Sequence, residues 1–331
     1  MLHPTTALLL ALSVAVFLVA SAAADKDDDH EPIRRKFLDW MTTHNKSYVN
    51  PELAHRWNVW RENYRFIEEH NRQNRTYSLG MNQFGDLTFD DYKALYTVTM
   101  PPFNASNYDV HNATSSGLAR RNVDWRNQNC VQRVKNQGSC ESNYAFAAIG
   151  ALETAYCLKH DGYLADMSEQ HLVDCGGRGC SGGWMHDMFA YLQRSGGTTF
   201  QSEYPYTGRV GTCQAQSKRK VAQVESHKMI RRGDENDLMQ ALSTVGTIAI
   251  AYNAGTQAHA YYRSGVLDVP GCGNTPTHAV LLVGYGNEGG KDYWLLKNSW
   301  GTSWGEAGYF KLVRGKNMCG IADWASYPVV V

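Results

Sequence analysis

Three short segments of this 331-residue chain carry polar side chains of the types that enzymes use for nucleophilic catalysis. The first precedes a stretch that is apolar on nearly every helical face, the second opens an apolar run typical of a strand, and the third combines glycine with tryptophan. They are residues 136–146, 277–280 and 297–301. Each polar residue alone would be interpreted as a packed core residue, so the indication of an active site comes from the three segments occurring together.

With two glycine-rich cysteine segments, residues 175–177 and 179–183, these segments closely resemble the papain-like cysteine endopeptidases of the cathepsin L type. The resemblance extends from about residue 33 to residue 331. It implies an α+β, papain-like fold of two domains, one helical and one like a β-barrel, with a cleft between them and a helical propeptide in front. The sequence itself predicts a buried helix over residues 144–158 and strands at residues 247–252, 279–285, 293–296 and 309–313.

The resemblance also assigns roles to individual residues. In that family a cysteine at the start of the buried helix is the nucleophile, held as a thiolate by the helix N-terminus and a nearby imidazolium. By position, His278 is the base, Asn298 orients it, and Gln137 donates a hydrogen bond to the oxyanion. The indole of Trp300 shields the bond between the histidine and the asparagine. No cofactor is implied.

The nucleophile position departs from the family pattern. Where the family reads Cys-Gly-Ser-Cys-Trp, residues 140–144 read Cys-Glu-Ser-Asn-Tyr, which places Asn143 at the position of the attacking cysteine. A carboxamide cannot form and release an acyl-enzyme, and asparagine is expected there as a helix N-cap. Ser142 is expected to point away from the cleft, because one helical residue rotates a side chain by about 100°. Standard cysteine-protease chemistry is therefore predicted to be absent.

The substrate groove is predicted to be altered as well. By resemblance, the pocket for the side chain next to the scissile residue is lined by Trp184, Met185, Ala251 and Trp324. Trp324 replaces a smaller or acidic residue, so we expect a partly filled pocket. Glu141 replaces a glycine whose bare backbone lets a peptide approach closely. The alternative, that both side chains point into solvent or core, stays open because rotamers cannot be read from sequence.

The N-terminal part has the pattern of that family's inhibitory propeptide. Apolar and aromatic residues recur at helical spacing, namely Phe37, Trp40, Met41, His44, Leu53, Trp57, Trp60, Tyr64 and Ile67. Six positions follow the spacing E-x3-R-x3-F-x2-N-x3-I-x3-N, with Trp in the aromatic slot: Glu52, Arg56, Trp60, Asn63, Ile67 and Asn71. A G-x-N-x-F-x-D motif follows at Gly80, Asn82, Phe84 and Asp86. An ordinary amphipathic hairpin would explain the apolar residues but not the polar ones.

We expect a signal peptide over residues 1–24, a propeptide over residues 25–121 with its helical part at about 33–96, and a peptidase-like domain over residues 122–331. Residues 97–121 are polar and proline-containing and are interpreted as a linker. Its dibasic pair, Arg120-Arg121, is either a processing site or two solvated arginines. Because self-processing needs the missing cysteine, we expect the propeptide to stay over the groove unless another protease cuts.

The eight cysteines are an even number, which suits disulfides in a secretory compartment. The resemblance selects three pairs, Cys140–Cys180, Cys175–Cys213 and Cys272–Cys319. Cys130 and Cys157 lie outside that pattern, and a fourth bridge between them is a hypothesis. With these pairs assigned, no Cys/His cluster at metal-ligand spacing remains, so no metal site is predicted.

The N-terminus and composition indicate a secretory protein. Residues 8–23 form an apolar run that ends in small residues and is shorter than a membrane span, as in a cleaved signal peptide. Sequons for glycosylation occur at Asn45, Asn74, Asn104 and Asn112. The formal net charge is 0 and 19% of residues are charged, which excludes a nucleic-acid footprint. We expect secretion or delivery to the lysosomal or endosomal lumen, without a membrane span after signal cleavage.

Three functions are compatible with the sequence. The first is a catalytically silent homologue that binds peptides, cystatin-like inhibitors or its own propeptide and acts as a decoy or regulator. The second is a residual peptidase with an unorthodox nucleophile. The third is a structural or storage protein on the same fold. The retained histidine, asparagine and glutamine favour the first, because they indicate that the cleft persists.

Overall fold

The computed structural model of the chain describes residues 31–103, 108–112 and 121–331. The expected signal peptide, the sequon at Asn104 and Arg120 of the dibasic pair lie outside these residues. The helices are α1 Glu31–Thr43, α2 Glu52–Asn71, α3 Phe89–Tyr96, α4 Asn143–Lys159, α5 Glu169–Cys175, α6 Met185–Ser195, α7 Glu235–Val245 and α8 Gln257–Ala260. Over the described ranges, no helix combines the length and the apolar character needed to cross a bilayer.

The strands are β1 Tyr77–Leu79, β2 Asp109–Val110, β3 Val123–Asp124, β4 Thr198–Thr199, β5 Lys220–Val221, β6 Val224–Met229, β7 Ile248–Tyr252, β8 Tyr262–Leu267, β9 His278–Glu288, β10 Lys291–Lys297, β11 Tyr309–Val313 and β12 Trp324–Val330. The main sheet has the order β1-β8-β11-β10-β9-β7-β12-β6-β2, with β3 pairing β9. Helix α4 packs against β7, β9 and β12. Helices and a large sheet around two main cores confirm the predicted α+β class.

The helical propeptide is present, and polar residues of its first motif hydrogen-bond to the loop that follows. Helices α1 and α2 pack through a cluster of aromatic rings formed by Phe37, Trp40, Trp57, Trp60 and Tyr64. Asn63 Nδ2 donates to the carbonyls of Gly85 at 3.0 Å and Leu87 at 2.9 Å. Arg56 Nη1 donates to the Asp86 carbonyl at 3.0 Å. The polar positions of the first motif therefore hold the loop that contains the second.

The segment after α3 is more than the plain linker that its polar composition predicted. We call residues 97–103 and 108–112 the strap. Its Val98 N donates to Thr277 O at 2.9 Å, and Pro101 O accepts from Trp184 Nε1 at 2.9 Å. Residues 109–110 form β2, which pairs in parallel with β6. The interpretation as a linker missed this strand because its partner is more than a hundred residues away in sequence.

All eight cysteines lie in described residues, and none is free. The bridges are Cys130–Cys157, Cys140–Cys180, Cys175–Cys213 and Cys272–Cys319. The hypothesis of a fourth bridge is therefore confirmed by the structure. It joins the segment before α4 to the last turns of that helix, so it fixes the far end of the helix whose first residue lies in the cleft.

Candidate active site

Asn143, which the resemblance places at the nucleophile position, is the first residue of α4, and its side chain is fully buried. Asn143 Nδ2 donates to Glu141 Oε2 at 3.1 Å, and its Oδ1 accepts from the backbone N–H of Ala279 at 3.2 Å. The N-cap residue is Ser142, without a side-chain capping bond, so the prediction that Asn143 caps the helix is wrong. The side-chain oxygen of Asn143 therefore accepts a hydrogen bond from β9 and not from its own helix.

His278, Asn298 and Trp300 are brought together as the resemblance implies. His278 Nε2 lies 2.9 Å from Asn298 Oδ1, and the centres of the His278 and Trp300 rings are 4.6 Å apart. Because Asn298 Oδ1 is an acceptor, His278 Nε2 carries the proton and Nδ1 is left with a lone pair. That Nδ1 is buried and has no hydrogen-bond partner.

The environment of His278 favours a neutral ring. Burial lowers its pKa to about 4, and the hydrogen bond to Asn298 offsets part of that effect. In a thiolate–imidazolium pair an adjacent negative charge would stabilise the protonated ring. The side chain at the position that the resemblance assigns to the nucleophile is the uncharged carboxamide of Asn143, which is hydrogen-bonded through both of its polar atoms.

Gln137 is also in place beside the start of α4. Its Nε2 donates to Cys140 O at 3.1 Å, and its Oε1 accepts from Ser299 Oγ at 2.6 Å. The side chain is fully buried. An amide N–H so held near the nucleophile position is the kind of preorganised donor that stabilises an oxyanion.

The Glu141 carboxyl group is hydrogen-bonded to the Asn143 side chain. Its Oε2 accepts from Asn143, while its Oε1 is buried without a hydrogen-bond partner. Burial raises the pKa of Glu141 to about 8, and the bond from Asn143 offsets part of the rise. Burial and then the Glu141 charge raise the pKa of the Tyr92 and Tyr96 hydroxyls of the propeptide.

The residues expected to line the specificity pocket lie together. Trp324 pairs with Ala251 across β12 and β7, and its ring centre is 5.1 Å from that of Trp184, the residue before Met185. The Arg232 guanidinium lies 4.2 Å from the centre of the Trp324 ring. Trp324 and Trp184 therefore lie side by side at the place to which the resemblance assigns the specificity pocket.

Two further residues contribute to the cleft although no sequence pattern indicated them. Phe103 of the strap packs on the Trp324 ring with centres 4.8 Å apart. Tyr206 OH donates to Gln137 O at 2.7 Å and lies 2.7 Å from Ser142 Oγ. Neither belongs to a motif that could have marked it. Among the described residues, no group of three or more His, Cys, Asp or Glu side chains is placed to hold a metal ion.

Comparison with known proteins gives a consistent result. Residues 119–329 match the protein family described as papain family cysteine protease, and residues 37–92 match the cathepsin propeptide inhibitor domain (I29). Digestive cysteine proteinase 2 of Homarus americanus is 39% identical, over 96% of this chain and all of that protein. Pro-cathepsin H of Bos taurus is 39% identical over 88% of this chain and 89% of its own length. The structure of digestive procathepsin L2 proteinase from Tenebrio molitor larval midgut is similar with a TM-score of 0.85 and 39% identity, covering 89% of this chain and 99% of that one.

Proposed function

The chain belongs to the papain family of cysteine proteases, and we propose that within this family it is a catalytically silent member. Its cleft serves for binding rather than hydrolysis, and its ligands are peptides, cystatin-like inhibitors and its own propeptide. Such a protein acts as a decoy or regulator of active relatives. The observation that carries the proposal is the carboxamide of Asn143, held by two hydrogen bonds at the position to which the resemblance assigns the family's nucleophilic thiol.

A carboxamide cannot replace a thiolate in this reaction. Its nitrogen lone pair is delocalised into the carbonyl group, so it does not attack an acyl carbon and release the product. In this chain the Asn143 side chain is also fixed, because Nδ2 bonds to Glu141 and Oδ1 bonds to Ala279 N. Both its chemistry and its geometry therefore oppose covalent catalysis.

Neighbouring side chains are poor substitutes. Ser142 is fully buried, and its Oγ lies 2.7 Å from Tyr206 OH and 3.3 Å from Cys140 O. A base within hydrogen-bonding distance is required to activate a serine hydroxyl, and the contacts of Ser142 are a phenol and a carbonyl. All eight cysteines are disulfide-bonded, so none can supply a thiolate.

The cleft is covered by the propeptide. Val98 bonds to Thr277, the residue before the histidine, and Pro101 accepts a hydrogen bond from Trp184. Tyr92 OH donates to Ala254 O at 3.1 Å, and Phe84 packs edge-on against Trp300 with ring centres 5.3 Å apart. We expect the propeptide to remain bound until another protease cuts the segment that ends in the dibasic pair.

Disulfides and glycosylation sequons support a secretory location for the protein. Four disulfides suit an oxidising compartment, and Asn45, Asn74 and Asn112 carry exposed sequon side chains. Together with the expected signal peptide over residues 1–24, they support secretion or delivery to the lysosomal or endosomal lumen. Domain boundaries at residues 24 and 121 are part of the same proposal.

Hydrolysis of a Phe-Arg reporter peptide at about pH 5.5, near the acidic optimum expected of a Cys–His pair, tests the proposal. The wild type would be compared with Asn143→Cys and with the triple variant Glu141→Gly, Asn143→Cys, Tyr144→Trp, each cut in the linker by an added protease that is then inhibited. We expect no turnover by the wild type and turnover by the triple variant. The single variant should be slower than the triple variant, because it keeps the Glu141 side chain where the family has a glycine whose bare backbone lets a peptide approach closely.

A second arm measures binding of a cystatin-type inhibitor to the cut wild type. Binding without turnover supports a ligand-binding role. Turnover by the wild type that His278→Ala abolishes would refute the proposal and require another nucleophile. Absence of both turnover and binding, with an active triple variant, would favour a structural or storage role.

A further inference from the structure

A narrow cavity borders the candidate active site, between helices α4 and α5 on one side and strands β9 and β10 on the other. The space open to the centre of a water-sized sphere is about 20 Å³. One buried water molecule needs about 10–15 Å³ by this measure. The cavity therefore accommodates a water-sized ligand and excludes an organic one. Its polar lining consists of Lys135, Glu153, Glu169, Lys297, Asn298 and Ser299.

Two charged side chains that line this cavity have polar atoms without a partner. Lys297 is the last residue of β10 and is 8% exposed, and its ammonium has no hydrogen bond or ion pair to any residue that the structure describes. Glu169 is the first residue of α5 and is 1% exposed, and its Oε2 is buried without a hydrogen-bond partner. Buried charged groups are costly when they are left unsatisfied, so both atoms require a partner.

Lys135 cannot satisfy the free oxygen of Glu169. The Lys135 Nζ atom lies 2.7 Å from Glu169 Oε1, 3.1 Å from Glu153 Oε1 and 2.9 Å from Asp166 Oδ1. An ammonium has three N–H donors, so these three carboxylates use all of them. A partner for Lys297 Nζ and for Glu169 Oε2 must therefore come from a ligand in the cavity.

The charges around the cavity select water among ligands of that size. Burial lowers the pKa of Lys297 to about 8, so its amine is protonated at neutral pH and needs an acceptor. A monovalent cation would be repelled by this ammonium, and an anion would be repelled by the carboxylates of Glu153 and Glu169. Water accepts from Lys297 and either donates to or accepts from Glu169, so it suits both protonation states of that carboxyl group.

We propose that the cavity binds one ordered water molecule that hydrogen-bonds to both Lys297 Nζ and Glu169 Oε2, and that this link makes Lys297 a positioning residue for the candidate site. The water joins β10 to α5 across the cavity. The link continues from Glu169 Oε1 to Lys135. It does not depend on whether the cleft hydrolyses peptides or only binds them.

Lys297 can act on the site because the two residues that follow it hold side chains of the site. Asn298 Oδ1 lies 2.9 Å from His278 Nε2, and Ser299 Oγ donates to Gln137 Oε1 at 2.6 Å. A Lys297 side chain that is fixed by the water restricts the backbone from which both of these bonds are made. Loss of the water should therefore loosen the bond between His278 and Asn298.

High-resolution crystal structures of the full-length, uncut chain, one grown in chloride and one in bromide, test the site. In both we expect density for one molecule within hydrogen-bonding distance of Lys297 Nζ and Glu169 Oε2, without an anomalous signal in the bromide crystal. An anomalous peak at this position would identify an anion and overturn the proposal. A cavity without density, or a direct bond from Lys297 Nζ to a protein group, would also overturn it.

The variant Lys297→Met keeps a flexible, unbranched side chain but removes the ammonium. Water relaxation dispersion, which counts long-lived internal water molecules, should count one fewer in this variant than in the wild type. In NMR spectra of the variant the signal of the His278 Nε2 proton should shift and exchange faster with solvent. The matched control Lys316→Met removes an exposed ammonium that lies 3.0 Å from Asp268, and it should change neither measurement.

An unchanged water count in Lys297→Met would overturn the proposed site. An unchanged His278 signal in a variant that has lost the water would overturn the positioning role, because a purely structural water would leave that bond as it is. If Lys297→Met does not fold, the wild-type crystals still decide whether a water is bound to both groups.

Discussion

Replacing Glu141 by glutamine is expected to stabilise the chain at neutral pH and to flatten the pH dependence of its stability. The carboxyl group lies beneath the propeptide, and its only hydrogen bond among the described residues comes from Asn143 Nδ2. Burial raises its pKa from the ordinary 4.5 to about 8. Because the folded state keeps this proton to higher pH than the unfolded state, the contribution to stability is fully present below pH 4.5 and is lost as the pH rises through 8.

The magnitude follows from the two pKa values. For one carboxyl with these values, the linkage relation gives a loss of about 3 kcal/mol between pH 5 and pH 7.5. A glutamine side chain has the same shape, accepts the same bond from Asn143 and has no proton to release in this range. Its NH₂ group replaces the buried, unpartnered oxygen, so one unsatisfied polar atom is present in both proteins and largely cancels in the comparison.

Urea-induced unfolding, followed by tryptophan fluorescence with the disulfides intact, measures the effect at a series of pH values from 5 to 7.5. The difference in unfolding free energy between Glu141→Gln and the wild type should grow by about 3 kcal/mol across the series. The matched control is Glu225→Gln, at an exposed position of β6, whose profile should run parallel to that of the wild type. Parallel profiles for Glu141→Gln and the wild type would show that the carboxyl is not buried against the propeptide, and would refute the reasoning.

Three further outcomes are expected. In NMR titrations the His278 ring should stay neutral down to pH 5 in the wild type, whereas in the triple variant with Asn143→Cys its pKa should rise as a thiolate forms; an unchanged titration would argue against an ion pair. The variant Cys130→Ala, Cys157→Ala removes the disulfide that closes a loop with a sequence separation of 27, and it should lower the free energy of unfolding by about 3.5 kcal/mol. An unchanged free energy of unfolding would contradict this prediction. Lys135→Met removes the cation that pairs with the carboxylates of Glu153, Asp166 and Glu169. Calorimetry should show that the free energy of unfolding falls by about 3–5 kcal/mol at pH 7, and that this loss becomes smaller in acid as the carboxylates are protonated.

Much of the fold and of the site could be predicted from the sequence because the relevant signals are local. The helix with buried residues on all faces begins at Asn143, within one residue of its predicted start. His278 is the first residue of β9, so the apolar run that predicts the strand also locates the histidine. The propeptide motif likewise uses helical spacing, which brings Arg56 and Asn63 to the loop that they hold.

What the sequence could not provide depends on partners that are distant along the chain. Asparagine is a residue type favoured at helix N-caps. The Oδ1 atom of Asn143 instead accepts a hydrogen bond from the backbone N–H of Ala279, which is 136 residues away. The Glu141 carboxyl group is oriented by its hydrogen bond from that asparagine. The strap is polar in composition, and its strand exists only through pairing with β6. In each case a short-range preference is outweighed by a contact that forms only when the chain is folded.

The propeptide contributes the outermost strand at both ends of the main sheet, with β1 on β8 and β2 on β6. A sheet edge with unpaired N–H and C=O groups is a template for pairing with another molecule. If the propeptide were removed completely, β8 and β6 would become such edges, and the remaining domain would acquire two sites for intermolecular strand addition. Retention of the propeptide therefore also protects this chain against self-association, a benefit that does not depend on whether the cleft beneath it ever cut a peptide.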